Sequence, residues 1–343
     1  MPLARPLRVI FCCFALVGCA LTQQMPTLAG QNHDQDQNQA ADQSVETLKV
    51  NVNVVQLFFN VKDKKGALIS NQTKDDFQIF EDGKPQTVKY FAAESNLPLT
   101  LGILVDTSPS QTRVLEMEKE VGAEFLNQMI REKDLAFVIG FDVNIDLLQD
   151  FTSSTRLLQR ALESTRIGGG GGGGIPGLGG GPVPTSVAGG CCTMLYDAVY
   201  LSAHDELAQQ VGRKAMILLT DGEDEGSKLR IHDAIEAAQK ADSICYVLLI
   251  ADRGGMWQGF GEGAMKKLAE ETGGRVIEVG NKFDKLKDAF DQISKELRSQ
   301  YNVGYTPTNA KLDGTFRKIE IRSRSGYKIQ ARQGYYAIAR ANP

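Results

Sequence analysis

Cysteine, histidine and tryptophan are all scarce here, with six, three and one among 343 residues. Cys12, Cys13 and Cys19 fall near the start, so the rest of the chain holds too few cysteines for a disulfide framework. Cys245 sits in the apolar run Ile244 to Ile250 and reads as a small core residue. The adjacent Cys191 and Cys192 are open to either two thiols or a strained bridge. His33, His204 and His232 have no spacing to one another or to cysteine that would hold zinc. A basic excess is also missing: 38 Lys and Arg stand against 42 Asp and Glu, so the chain has no electrostatic footprint for nucleic acid. The apolar run Val9 to Leu21 falls short of the roughly 20 residues that span a bilayer.

That run follows Arg5 and Arg8 and reads as a secretory signal over residues 1–21. Its end, Leu16-Val17-Gly18-Cys19, resembles the bacterial lipobox, which implies lipidation of Cys19 and attachment to a membrane in the cell envelope or periplasm. Cleavage further on, after Ala29, would instead give a secreted chain without the lipid. Residues 22–44 are rich in Gln, Asn and Asp and read as a disordered polar linker.

Beyond the linker, residues 45–95 have β texture. Leu48, Val50, Val52 and Val54 alternate with polar residues, and Asp82-Gly83 marks a hairpin turn. Residues 299–343 close the chain in the same texture, with a hairpin expected between Phe316 to Ile321 and Tyr327 to Arg332 across Ser325-Gly326. Arg317, Lys318, Arg322, Arg324, Lys328 and Arg332 there read as a solvated strand face. Between these flanks, residues 97–298 alternate strand and helix. Apolar strands at 99–105, 135–140, 215–219, 244–250 and 276–279 are separated by helical patterns near 114–131, 194–210, 229–241, 262–272 and 283–298. Ile145 to Phe151 adds an antiparallel edge strand, followed by a helix from Ser154 to Ser164. The expected fold class is α/β, a doubly wound, mostly parallel sheet, with a β-sandwich-like module built from the N- and C-terminal flanks. Residues 167–190 interrupt the rhythm with a glycine-rich loop, which lacks the preceding strand and the Gly-Lys-Ser/Thr of a phosphate cradle.

The strand Leu99 to Val105 runs straight into Asp106, with Ser108 and Ser110 at alternate positions after it. A second strand ends in Thr220-Asp221-Gly222, and Thr193 opens a helix after the glycine loop. Two carboxylates and three hydroxyls at the carboxyl edge of one sheet form an all-oxygen set, which suits Mg²⁺, with Mn²⁺ or Ca²⁺ as alternatives. In this order the elements resemble the von Willebrand factor type A family and its metal-ion-dependent adhesion site. Asp106-Thr-Ser108-Pro-Ser110 matches Asp-x-Ser-x-Ser, Thr193 the separate threonine, and Asp221 the last acidic element. The flanking Lys-Asp-Asp-Phe-Gln-Ile-Phe-Glu-Asp-Gly and Arg-Gln-Gly-Tyr-Tyr are similar to bacterial exported proteins of that family known mainly from acidobacteria.

The resemblance implies that Ser108 and Ser110 ligate the metal directly, Thr193 does so in the ligand-bound state, and Asp106 and Asp221 act largely through bound water. It further implies a protein ligand that presents Asp or Glu, and no catalytic residues. Two other readings fit a metal at a strand end: a hydrolase or phosphoryl-transfer enzyme on a similar fold, and a structural envelope protein with an idle metal. The enzyme would need a second aspartate closely after Asp106, where this chain has Ser108.

Overall fold

The computed structural model describes residues 54–93, 97–168, 192–250 and 261–338. The expected leader with Cys19, the polar linker, most of the glycine loop and Cys191 lie outside the described residues.

The amino-terminal flank forms β1 (Val55–Lys62), β2 (Phe77–Glu81), β3 (Lys84–Gln86) and β4 (Val88–Ala93). Asp82 and Gly83, both at positive φ, close the β2–β3 hairpin at the expected turn. The α/β region follows with β5 (Leu99–Asp106), α1 (Leu115–Met129), β6 (Leu135–Phe141), β7 (Ile145–Thr152) and α2 (Thr155–Ser164). It continues with α3 (Leu195–Leu201), β8 (Arg213–Thr220), α4 (Ile231–Lys240), β9 (Ser243–Leu249), α5 (Glu262–Thr272), β10 (Val276–Glu278) and α6 (Phe283–Arg298). After α3 the helix continues as a π-helical turn over Ser202–Leu207, looser than the regular helix the spacing suggests. The carboxyl-terminal flank adds β11 (Tyr301–Tyr305), β12 (Phe316–Ser323), β13 (Lys328–Ala331) and β14 (Gly334–Tyr336).

The central sheet has strand order β10-β9-β8-β5-β6-β7, parallel except for β7, which runs antiparallel to β6 at one edge. Every residue of β5 is buried, because helices cover both of its faces. Leu101, Ile103 and Val105 point into a core shared with α1, α2 and α6, while Leu104 joins the opposite core with α3, α4 and α5. Each such side chain contributes about 1.5–3 kcal/mol by burial, so β5 is held firmly along its whole length. Gly102 takes the place of a side chain for a packing reason: a Cβ there would stand 2.5 Å from Cζ of Phe137. Cys245 lies wholly inside the second core, where burial pushes its thiol up to about 12.

The flanks form two antiparallel sheets, β13-β1-β11-β4 and β14-β12-β2-β3. Leu57, Phe59, Ile79, Val303, Ile319 and Ile321 from both sheets meet in one core, so the two flanks make a single sandwich around the inserted α/β region. The hairpin expected between β12 and β13 does not form. β12 pairs instead with β14 over Phe316–Lys318 and with β2 over Ile319–Ser323, and the chain turns at Gly326 (φ 70°) to carry β13 into the other sheet beside β1. The basic strand face is also not wholly solvated, since Arg317 and Arg332 are buried, Arg317 against Asp313 and Arg332 against Asp242.

The sandwich is joined to α6 by a buried polar cluster. Glu296 accepts hydrogen bonds from Lys62 Nζ at 2.8 Å, Arg275 Nε at 2.8 Å and Gln330 Nε2 at 3.1 Å. Asn60 Nδ2 donates to the Glu296 carbonyl at 2.8 Å.

Candidate functional site

In this sheet the chain leaves β5 toward β6 on one side and leaves β8 toward β9 on the other. The crevice outside the carboxyl ends of β5 and β8 is therefore the topological switch point, where open α/β sheets bind ligands. Asp106 is the last residue of β5, and Asp221 follows the last residue of β8.

Past Asp106 the chain stays extended, with Thr107 N–H bonded to the Phe141 carbonyl at 2.8 Å. It turns at Ser108 into the 3₁₀ helix Pro109–Arg113, with proline at its first position. That tight turn brings Ser108 Oγ and Ser110 Oγ to 2.9 Å of each other. The Asp106 carboxylate is fixed at both oxygens: Oδ1 accepts the Ser108 N–H at 2.9 Å, and Oδ2 accepts the Thr220 hydroxyl at 2.7 Å. Thr220 Oγ1 in turn accepts the Gly222 N–H at 3.0 Å, and Asp221 Oδ1 accepts the Glu223 N–H at 3.1 Å. Gly222 holds φ at 87°, which a side chain would strain.

Thr193 is placed by its neighbours. Its carbonyl accepts the N–H groups of Glu225 at 3.2 Å and Gly226 at 3.1 Å, from the loop after Asp221, while Met194 N–H bonds to the Asp142 carbonyl just past β6. The backbone at Thr193 is thus stitched between the ends of β6 and β8. All five expected residues lie along one stretch of the sheet's carboxyl edge, graded from a buried floor at Asp106 and Ser108 through half-buried Thr193 and Asp221 to an exposed Ser110.

The electrostatics are one-sided. Burial and the neighbouring Asp221 charge push the Asp106 carboxyl up to about 7. Glu118, in α1, is pushed well above the usual carboxylate range by burial and then by the charges of Asp106 and Asp221. Neither of its oxygens has a hydrogen-bond partner, nor does the buried Gln111 Oε1. Orphaned acceptors and unneutralised carboxylates at one edge fit a divalent cation with its waters, which supply positive charge and O–H donors together. Among the described residues no three His, Cys, Asp and Glu side chains are arranged to hold a metal.

Sequence reasoning missed Thr220, Gln111 and Glu118. Only Glu118 carried a signal: Leu115, Glu118, Gly122, Phe125, Leu126 and Met129 form the buried stripe of α1, and an acid is out of place in it.

No family model and no curated protein sequence matches the chain. Among solved structures, it is similar to the conserved hypothetical protein BatB from Bacteroides thetaiotaomicron, at 21% identity and a TM-score of 0.43, over 59% of this chain and 100% of that one. It is also similar to proximal thread matrix protein 1 from the mussel byssus with a zinc-occupied MIDAS motif, at 14% identity and a TM-score of 0.47, over 63% of this chain and 48% of that one. The SpRpn10 VWA domain aligns at 13% identity and a TM-score of 0.39, over 57% of this chain and 95% of that domain.

Proposed function

We propose that this chain is an exported binding module of the cell envelope that takes a divalent cation, Mg²⁺ before Mn²⁺ or Ca²⁺, at Asp106, Ser108, Ser110, Thr193 and Asp221. The bound cation would hold an Asp or Glu side chain of a protein partner, acting as a Lewis acid toward that carboxylate. The observation that carries this reading is the meeting of a hydroxyl pair 2.9 Å apart with two carboxylates at the switch point of the sheet.

The chain's own residues divide the work. Thr220 and the Ser108 N–H orient Asp106, the tight turn at Pro109 aims both serine hydroxyls to one side, and the exposed rim at Ser110 leaves room for a partner. Neutral hydroxyls leave much of a cation's charge uncompensated, which favours an incoming carboxylate. A phosphoryl-transfer role has weaker support, because Ser108 stands where a second aspartate would act as acid or base.

The test begins with a partner captured by crosslinking in the native envelope. EDTA should release it, and Thr193→Ala should weaken capture about tenfold or more with little change in melting temperature, since one half-buried hydroxyl contributes only about 1 kcal/mol. Capture that survives both treatments would move the interface away from this edge.

A further inference from the structure

We propose that Glu118 is a positioning residue of the metal site, its carboxylate receiving hydrogen bonds from water held on the cation and so raising the site's affinity for that cation. This rests on the metal-binding reading above and extends it to a residue outside the five-residue motif.

Three observations lead there. First, α1 starts beside the carboxyl edge of the sheet, directly after the Ser108–Ser110 turn, and Glu118 is one turn into it on the face that packs against β5. Its side chain is 1% exposed and lies close enough to Asp106 and Asp221 for both charges to act on it. Second, both of its oxygens lack a donor. The adjacent Lys119 does not serve it, since that ammonium is bonded to Glu116 at 2.7 Å. A buried carboxyl left like this is a net cost to folding, which a leucine at the same place in the stripe would avoid. Third, Gln111 Oε1 is likewise buried without a donor, and Gln111 is bonded through its amide nitrogen to Ser110. The shortage is therefore specifically of donors, beside the serine hydroxyls. Magnesium keeps several of its waters when bound, and each offers two strongly polarised O–H groups. Glu118 acts through such water.

Residues of this kind typically change metal affinity by 10–100-fold. The experiment titrates Mn²⁺ alone into the purified full-length chain by calorimetry, comparing wild type, Glu118→Gln, Glu118→Leu and Asp106→Ala, with metal-free melting curves for each. The expected result is a 10–100-fold loss of Mn²⁺ affinity in both Glu118 variants, with metal-free melting temperatures equal to or above wild type. The water-proton relaxation per bound Mn²⁺ should also change, which a residue serving only packing would not affect. Leucine suits the apolar stripe, so that variant gives a reading even if the glutamine variant folds poorly. Wild-type affinity in either folded Glu118 variant, with binding lost in Asp106→Ala, would overturn the role of Glu118 and leave the metal site standing. Equal binding, or none, in wild type and Asp106→Ala would overturn both.

Discussion

Replacing Asp106 by asparagine should make the metal-free protein more stable at pH 8 and, in the same step, unresponsive to magnesium. The carboxyl is fully buried beside Asp221, and its pKa is pushed from 3.8 up to about 7. A carboxyl raised in the folded state favours its protonated form there, so the stability it contributes is complete below pH 3.8 and is lost as pH rises through about 7. That displacement corresponds to roughly 4 kcal/mol at pH 8. Asparagine keeps the size and one acceptor, for either the Ser108 N–H or the Thr220 hydroxyl, and forfeits the other at about 1–2 kcal/mol. The net gain of about 2 kcal/mol should appear as roughly 4–8 °C in melting temperature for a domain of this size. At pH 4.5 the wild-type carboxyl is already protonated in the folded chain and the advantage should vanish. Thermal melts followed by circular dichroism in EDTA at both pH values measure this directly. Repeating them with Mg²⁺ should raise the wild type alone, since an ion bound only by the native state must stabilise it. An asparagine variant that melts below wild type at pH 8 without metal, or gains as much from Mg²⁺ as wild type does, refutes the reasoning.

Glu296→Ala should destabilise the protein by about 3–5 kcal/mol in urea unfolding, because it strands the largely buried Lys62 ammonium and the Arg275 guanidinium without their shared carboxylate. A loss under 1 kcal/mol would mean that water replaces the carboxylate there. At the other end of the chain, mass spectrometry of the mature amino terminus should find lipid on Cys19; an unmodified chain beginning near Gly30 would remove the anchor and leave export intact.

The α/β region was legible because its central strands β5 and β8 are fully buried runs and its helices carry a strong apolar period, both of which survive in one dimension. The short flanking strands were legible as β but not as pairs. Ile319 and Ile321 alternate as a hairpin partner of Ile329 would, and nothing local records that β12 pairs with β2 and β14 instead. Of the five candidate residues, Asp106 and Asp221 were read from strand ends, Ser108 and Ser110 from their alternation after Asp106, and Thr193 from its place at the start of a helix. Thr220 and Gln111 act only across long-range contacts or through burial, and neither residue type is unusual where it stands. Glu118 was different, since an acid in an apolar stripe is visible without any structure.

The sandwich also dictates an order of events during synthesis. β1 lies between β11 and β13, and β2 pairs with β12, so the amino-terminal strands wait for partners made only after the whole α/β region. The α/β region, by contrast, is contiguous and can complete its sheet as it emerges. Until the last strands arrive, β1 lacks both of its neighbours and β2 lacks β12, so the edges of β1 and β2 lie open to other chains. Truncation after α6 would therefore leave the α/β region carrying an aggregation-prone amino-terminal segment, and the closing strands serve as this protein's built-in protection against its own beginning.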